Sequence, residues 1–386
     1  MLFTDEEKLQ ILRDVLAIES ENDQEAEVAE YFSRLLAKYS IESEIIEYQA
    51  GRSSLIANIY GSEGREGKVL VYSGHFDVVS AGDHSDWTYP PFAGEIHDGK
   101  IYGRGASDMK SGLVDLVLAA IELKEAGANF KGCLRLVLTV GEEIGMYGSK
   151  QLVEAGYLDD ADGFLIAEPS GSESVIYAHK GSIQYEIIAH GKTVHSSMPE
   201  VGIDALQLMV DYINLSNQRF DESFNTESAY NADLGKTLNV NTVIEGGTQI
   251  NSVAGLVKMK ANTRTVPEAD NDLVLSIIND CIEELNAKSE GYLELNLLQD
   301  NPPATSTEDN DLIKAIQSSV SHELELTVTG GATDASNFGQ IGEDYDLAVY
   351  GPGEPSVAHQ ENEYVSLDKF LAFVDIYKET ALNYLK

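Results

Sequence analysis

Three short apolar runs in the first half of the chain each lead to a carboxylate or an imidazole, and that coincidence restricts the folds open to it. Val69-Leu70-Val71-Tyr72 leads to His75, Leu134 to Val140 leads to Glu142 and Glu143, and Phe164-Leu165-Ile166-Ala167 leads to Glu168. Each run has the length and apolar character of a buried strand. In an open α/β sheet, ligands collect beyond the carboxyl ends of the strands. Three such strands therefore deliver metal-type donors to one edge. Asp108 lies in a Gly-rich loop that opens a helix, and His359 lies in a late loop. Imidazoles with carboxylates form a nitrogen and oxygen donor set suited to zinc or a similar divalent ion. Cys133 and Cys281, the only cysteines, sit in apolar surroundings, so neither a disulfide framework nor thiolate ligation is expected.

The pattern around these runs predicts the rest of the architecture. Thr4 and Glu7 form a capping box ahead of Leu9, Leu12, Val15 and Leu16, which repeat at helical spacing. Val28, Tyr31, Phe32, Leu35 and Leu36 predict a second helix. Strands follow near 54–60 and 68–74, a helix over 111–126, and strands near 133–140 and 163–167. That alternation implies an α/β fold, a three-layer domain with a mostly parallel sheet. After Lys180 the order changes to strand 182–189, helix 203–217, a polar loop 221–235, strands 237–245 and 256–265, helix 271–286 and strand 292–298. This βαββαβ order is ferredoxin-like. Pro302-Pro303 marks the return, followed by helix 311–321, strands 325–328 and 346–350, and a helix from Leu367. The expected organisation is a domain of residues 1–180 and 299–386, interrupted by an inserted domain, 181–298. Two domains also suit a length of 386 residues.

A net charge of −39 argues against nucleic acid and anionic membranes as partners. No apolar run reaches membrane-spanning length. The segment Met1 to Glu7 lacks a basic region followed by an apolar core, so a cytoplasmic protein is the expectation.

Within Ser73-Gly74-His75-Phe76-Asp77, residues two apart point the same way, so Asp77 is expected to reach the back of the His75 ring and fix its tautomer. The loop Gly103 to Gly112 lacks dinucleotide-loop spacing and has no Gly-Lys-Ser/Thr, so Asp108 reads better as a carboxylate bridging two metals. Of the adjacent pair Glu142-Glu143, one can ligate while the other faces water and takes its proton. His195, in Gly191 to Pro199, is able to donate to a developing oxyanion, although its spacing alone reads as structural. His84, His97, His179, His190 and His322 carry no motif.

The segments Ser73 to Val79, Gly103 to Gly112, Gly141 to Gly148, Ala167-Glu168-Pro169, Gly191 to Pro199 and Ala358 to Glu363 resemble, in order, the signature blocks of one family. It is the acetylornithine deacetylase, succinyl-diaminopimelate desuccinylase, aminoacylase and carboxypeptidase G family of metal-dependent amidohydrolases. The resemblance implies two divalent ions, zinc first, with cobalt or manganese possible. His75, Asp108 and Glu168 would hold one ion, and Asp108, Glu143 and His359 the other. It further implies a cis peptide between Asp108 and Met109, Glu142 as general base and Asp77 as the orienter of His75. The inserted domain becomes a dimerisation and lid domain, with His195 stabilising the tetrahedral intermediate across a homodimer. Asn251, Arg264 and Thr333 would contact the substrate, a small N-acyl amino acid. Succinyl-diaminopimelate is the first choice, ahead of acetylornithine and small dipeptides. Two departures, no proline in Ser252-Val253-Ala254-Gly255 and Ala-Thr-Asp-Ala at 332–335, fall at the substrate contacts. A non-catalytic binding relative would be marked by lost ligands, and here the five ligands and Glu142 are all present.

Overall fold

The apolar runs that lead to metal-type donors are neighbouring parallel strands. Cys133–Thr139, Val69–His75, Gly163–Ile166 and Asp346–Val349 lie side by side in that order, each parallel to the next. His75 is the last residue of its strand, while Glu142 and Glu168 lie just beyond theirs. The computed structural model describes residues 2–127, 129–342 and 344–386. It divides into two units, one of Met1–Ala178, Thr305–Val328 and Thr333–Lys386, the other of His179–Ala304 and Thr329–Ala332.

In the larger unit the parallel centre is flanked by antiparallel strands. Arg52–Tyr60 pairs with Cys133–Thr139, and Ser43–Gln49 lies outside it. On the other side Asp346–Val349 meets Ser174–His179 through Val349 and Ile176. Ser43–Gln49 is an edge strand, half-exposed or exposed throughout, so it lacks the apolar signature of its neighbours. Helix Lys110–Glu125 buries fourteen of its sixteen residues, which is why its sequence is apolar on every face. It packs on Leu367–Tyr384 and Asp5–Leu16. A Cβ at Gly112 would lie 2.3 Å from the Ala167 carbonyl oxygen. Only glycine lets this helix approach the strand end that carries Glu168. The Thr4 and Glu7 box opens Asp5–Leu16, with the Thr4 N–H donating to the Glu7 carboxylate at 2.8 Å.

The second unit has a four-stranded antiparallel sheet in the order Leu238–Gly246, Leu256–Arg264, Ser182–His190, Tyr292–Asn301. Helices Ala205–Phe224 and Asn271–Asn286 pack on each other and on this sheet. The order along the chain is βαββαβ, as the sequence predicts. The first helix runs further than its apolar spacing suggests. Phe220 and Phe224, four residues apart, stack at 5.1 Å and are buried, carrying the helix into the stretch read as a polar loop. Among the described residues, no helix is long and apolar enough to cross a membrane. Cys133 and Cys281 are buried free thiols.

Candidate metal centre

His75 is buried, and its ring is fixed from behind. Nδ1 lies 2.8 Å from the main-chain oxygen of Asp77, which can only accept, so Nδ1 carries the hydrogen. Nε2 therefore faces forward, 3.2 Å from Asp108 Oδ1 and 3.4 Å from Glu168 Oε1, and is the nitrogen whose lone pair a metal would take once its proton leaves. The other Asp108 oxygen, Oδ2, is 3.2 Å from His359 Nε2, which lies 3.0 Å from Glu143 Oε1. One carboxylate thus faces two imidazoles, one per oxygen. The Asp108–Met109 peptide is cis.

The sequence reading had Asp77 touch His75 through its carboxylate. That contact is long, 3.7 Å, and the orienting bond comes from the main chain instead. The carboxylate is taken by three successive amides. Oδ1 accepts from Gly141 at 2.9 Å and Glu142 at 3.2 Å, and Oδ2 accepts from Glu143 at 3.0 Å. Asp77 consequently holds the loop on which Glu142 and Glu143 stand.

Crowding of like charge governs the titration of the cluster. Burial first, then the charge of Glu168, drives the Glu142 carboxyl well above its ordinary value. Burial and the Asp108 charge push Glu168 up to about 8. Asp108 goes the other way. Burial raises it, but hydrogen bonds from His359 and His75 outweigh that and hold it well below the usual carboxylate range. Burial disfavours a charged His75, yet Glu168 and Asp108 win and raise it well above its ordinary value. Hydrogen bonds to Asp108 and Glu143 raise His359 to about 10. The metal-free cluster therefore retains protons. Two imidazole nitrogens and four carboxylates converging on one place are the donor set of a dinuclear divalent site, and cations in place of those protons would neutralise the crowding. Within it, His75, Asp108 and Glu143, and also His75, Glu142 and Glu168, offer atoms within 4.8 Å of one another.

Asp334 escaped the sequence reading. It is buried and accepts from the Thr139 and Ser149 hydroxyls, each at 2.5 Å. It thereby pins the loop of Thr333 to the strand end that precedes Glu142. The Thr333 hydroxyl accepts from the Ala335 N–H at 3.2 Å. The only sequence signal for Asp334 is a carboxylate between small residues.

His195, Asn251 and Arg264 belong to the second unit. The Ser196 N–H donates to the Asn251 carbonyl at 2.9 Å, and His195 bridges Ser252, so His195 and Asn251 are brought together. The Ser197 N–H donates to His195 Nδ1 at 3.2 Å, leaving the hydrogen on Nε2. Arg264, half-buried at the end of its strand, has no ion-pair partner among the described residues.

The profile described as peptidase family M20/M25/M40 matches residues 71–383. A probable succinyl-diaminopimelate desuccinylase of Staphylococcus aureus (strain MSSA476) is 39% identical, covering 100% of this chain and 99% of the relative. An M20 family metallo-carboxypeptidase from Sulfolobus solfataricus superposes with a TM-score of 0.81 at 19% identity, over 98% of this chain and 99% of that one. A dinuclear metal-binding M20 peptidase from Bacillus subtilis superposes at 0.72 with 18% identity, over 99% and 98%.

Proposed function

Since the chain belongs to peptidase family M20/M25/M40, we propose that it cleaves the amide bond of a small N-acyl amino acid, and that this substrate is succinyl-diaminopimelate. The enzyme is a metal-dependent amidohydrolase. The full-length likeness to the staphylococcal desuccinylase carries the choice of substrate.

In this reading His75, Asp108 and Glu168 would hold one zinc ion, and Asp108, Glu143 and His359 would hold the other. The facing of the two Asp108 oxygens supports this division. When bound, such ions polarise a carbonyl and lower the pKa of water towards ~7. Glu142 takes the proton of the attacking water and passes it to the leaving amine. A buried carboxylate suits both steps, because burial makes it a better base than an exposed one. Asp77 holds Glu142 in place. His195, with its hydrogen on Nε2, donates to the developing oxyanion. Arg264 clamps a substrate carboxylate with two parallel hydrogen bonds, and its lack of an ion-pair partner among the described residues supports that role. Asn251 and Thr333 complete the substrate contacts.

The working form is a homodimer made through the second unit. Leu238–Gly246 is an edge strand of nine residues with Leu238, Val240, Val243 and Ile244 exposed. A long apolar edge needs a cover, and a second copy supplies one by two-fold symmetry.

The test is hydrolysis of succinyl-diaminopimelate, acetylornithine, acetylmethionine and small dipeptides by zinc-loaded protein, each with a chelator control. Chelator-sensitive turnover dominated by succinyl-diaminopimelate is expected. Preference for another member overturns the substrate.

A further inference from the structure

We propose that Glu363 is the positioning residue for the metal ion on the His359 side. This rests on the two-metal reading above and deepens it. Glu363 is fully buried, and its carboxylate is saturated with donors. Oε1 accepts from the Ser107 N–H at 2.7 Å and the Asp108 N–H at 2.9 Å. Oε2 accepts from the Gly105 N–H at 3.1 Å and Arg104 Nη1 at 2.6 Å. A carboxylate offers about four acceptor positions, and all are used.

The bonds tie together two loops that are far apart in sequence. The Gly103 N–H donates to the Glu363 carbonyl at 3.0 Å. Arg104 Nη1 also reaches the Gln360 carbonyl at 3.3 Å. The segment around Asp108 and the segment from His359 to Glu363 are therefore laced by side chain and main chain together. Asp108 serves both ions in this reading, whereas His359 and Glu143 belong to the second alone, so of the two laced segments the one from His359 to Glu363 is particular to that ion. His359 is a non-glycine residue with φ of 63°, in the left-handed region. A residue held there stays only when its surroundings over-determine it. The Arg104 bond to Gln360 and the Glu363 cradle provide that constraint on the segment that follows His359.

Asp77 does the same for Gly141, Glu142 and Glu143. The centre thus rests on two buried carboxylates, each gripping three backbone amides. Asp77 carries the base loop, and Glu363 carries Asp108 and the approach to His359. Glutamine fits the Glu363 space but has one oxygen. Its NH2 must face either the Ser107 and Asp108 amides or the Gly105 amide and Arg104, and the Asp108 turn has to shift.

The experiment is zinc binding to metal-free wild type and to Glu363→Gln by competition with a chromophoric chelator. Wild type is expected to take two ions. The variant should bind the ion on the His359 side about 10- to 100-fold more weakly and the other, which shares only Asp108 with it, with a clearly smaller loss, turnover being recovered at high zinc. Two ions bound by the variant with wild-type affinities overturn the role of Glu363 and leave the two-metal reading intact. Equal weakening of both ions also overturns it, since that is general damage. Fewer than two ions in wild type overturns the two-metal reading itself. Should the variant not fold, hydrogen exchange on metal-free wild type decides. Slow exchange across residues 103–109 is expected, and exchange at unstructured rates overturns a cradle formed before the metal.

Discussion

The amide of Glu143 donates to the carboxylate of Asp77 at 3.0 Å, so the residue behind His75 holds a residue in front of it. An asparagine at 77 keeps the main-chain oxygen that orients His75 but offers its side-chain oxygen to only part of the amide triplet. At least one buried amide then faces an NH2 group, at a cost of about 1–3 kcal/mol. Asp77→Asn is expected to lower turnover about 10- to 100-fold through the loop. In the zinc-loaded protein the ring of His75 should keep its tautomer, as nitrogen-15 NMR of the imidazole will report. A changed tautomer with an undisturbed loop would reverse the assignment of the two Asp77 oxygens.

Glu142 is the middle residue of that amide triplet and has no hydrogen bond to a cation among the described residues, and burial and Glu168 favour its protonated form. Glu142→Gln mimics that form, so the metal-free protein should melt close to wild type. Turnover should fall by ~10² or more while zinc stoichiometry is kept. Activity within tenfold of wild type, in protein holding its metal, removes Glu142 from the role of base.

Protonation of the metal-free cluster sets the sign of its pH dependence. His359 is raised to about 10 and His75 well above its ordinary value, and Glu168 is raised to about 8. Groups with a raised folded-state pKa stabilise the fold fully below their unfolded pKa values. That stability is lost as pH rises through the folded values. Metal-free enzyme should therefore lose stability as pH rises from about 4.5, where unfolded Glu168 begins to ionise, to about 10, where folded His359 does. Ligation needs neutral imidazole, so zinc loading at pH 7 should expel about two protons or more. Zinc affinity then rises with pH, opposite in sign to the stability of the empty form. Calorimetry in buffers of different ionisation enthalpy counts the protons, and a count near zero contradicts charged imidazoles.

The parallel centre of the sheet and the donors at its edge were legible because His75, Glu142 and Glu168 each follow a run too apolar to be anything but buried. The repeat of βαββαβ in the second unit was legible for the same reason of periodicity. Ser43–Gln49 was not, because an exposed edge strand lacks that apolar pattern. Nor was the extension to Phe224, where two aromatic residues in a polar stretch decide the helix by stacking on each other. For Asp77, strand alternation gives the direction of a side chain but not the competition of three amides for its oxygens. Asp334 and Glu363 act on partners 195 and 255 residues away. Spacing carries no trace of bonds that only the finished fold brings together.

The edge strand Leu238–Gly246 and His195 give the last test. Val240 is 57% exposed and Ile244 is 53% exposed, both on that edge strand. Charging both, by Val240→Glu with Ile244→Glu, should shift the sedimenting mass from about twice the 42.1 kDa chain to one copy. If His195 serves the partner's centre, that monomer loses turnover although its metal donors are intact. Complementation separates this from damage. His195→Ala and Glu142→Gln are each expected to be nearly inactive, but a mixed dimer contains one centre with an intact Glu142 and an intact His195 from the other copy. Random mixing should then restore about a quarter of wild-type activity, since half the dimers are mixed and each has one complete centre. A histidine acting within its own chain leaves every centre in the mixture defective, and the activity stays at the level of the parents.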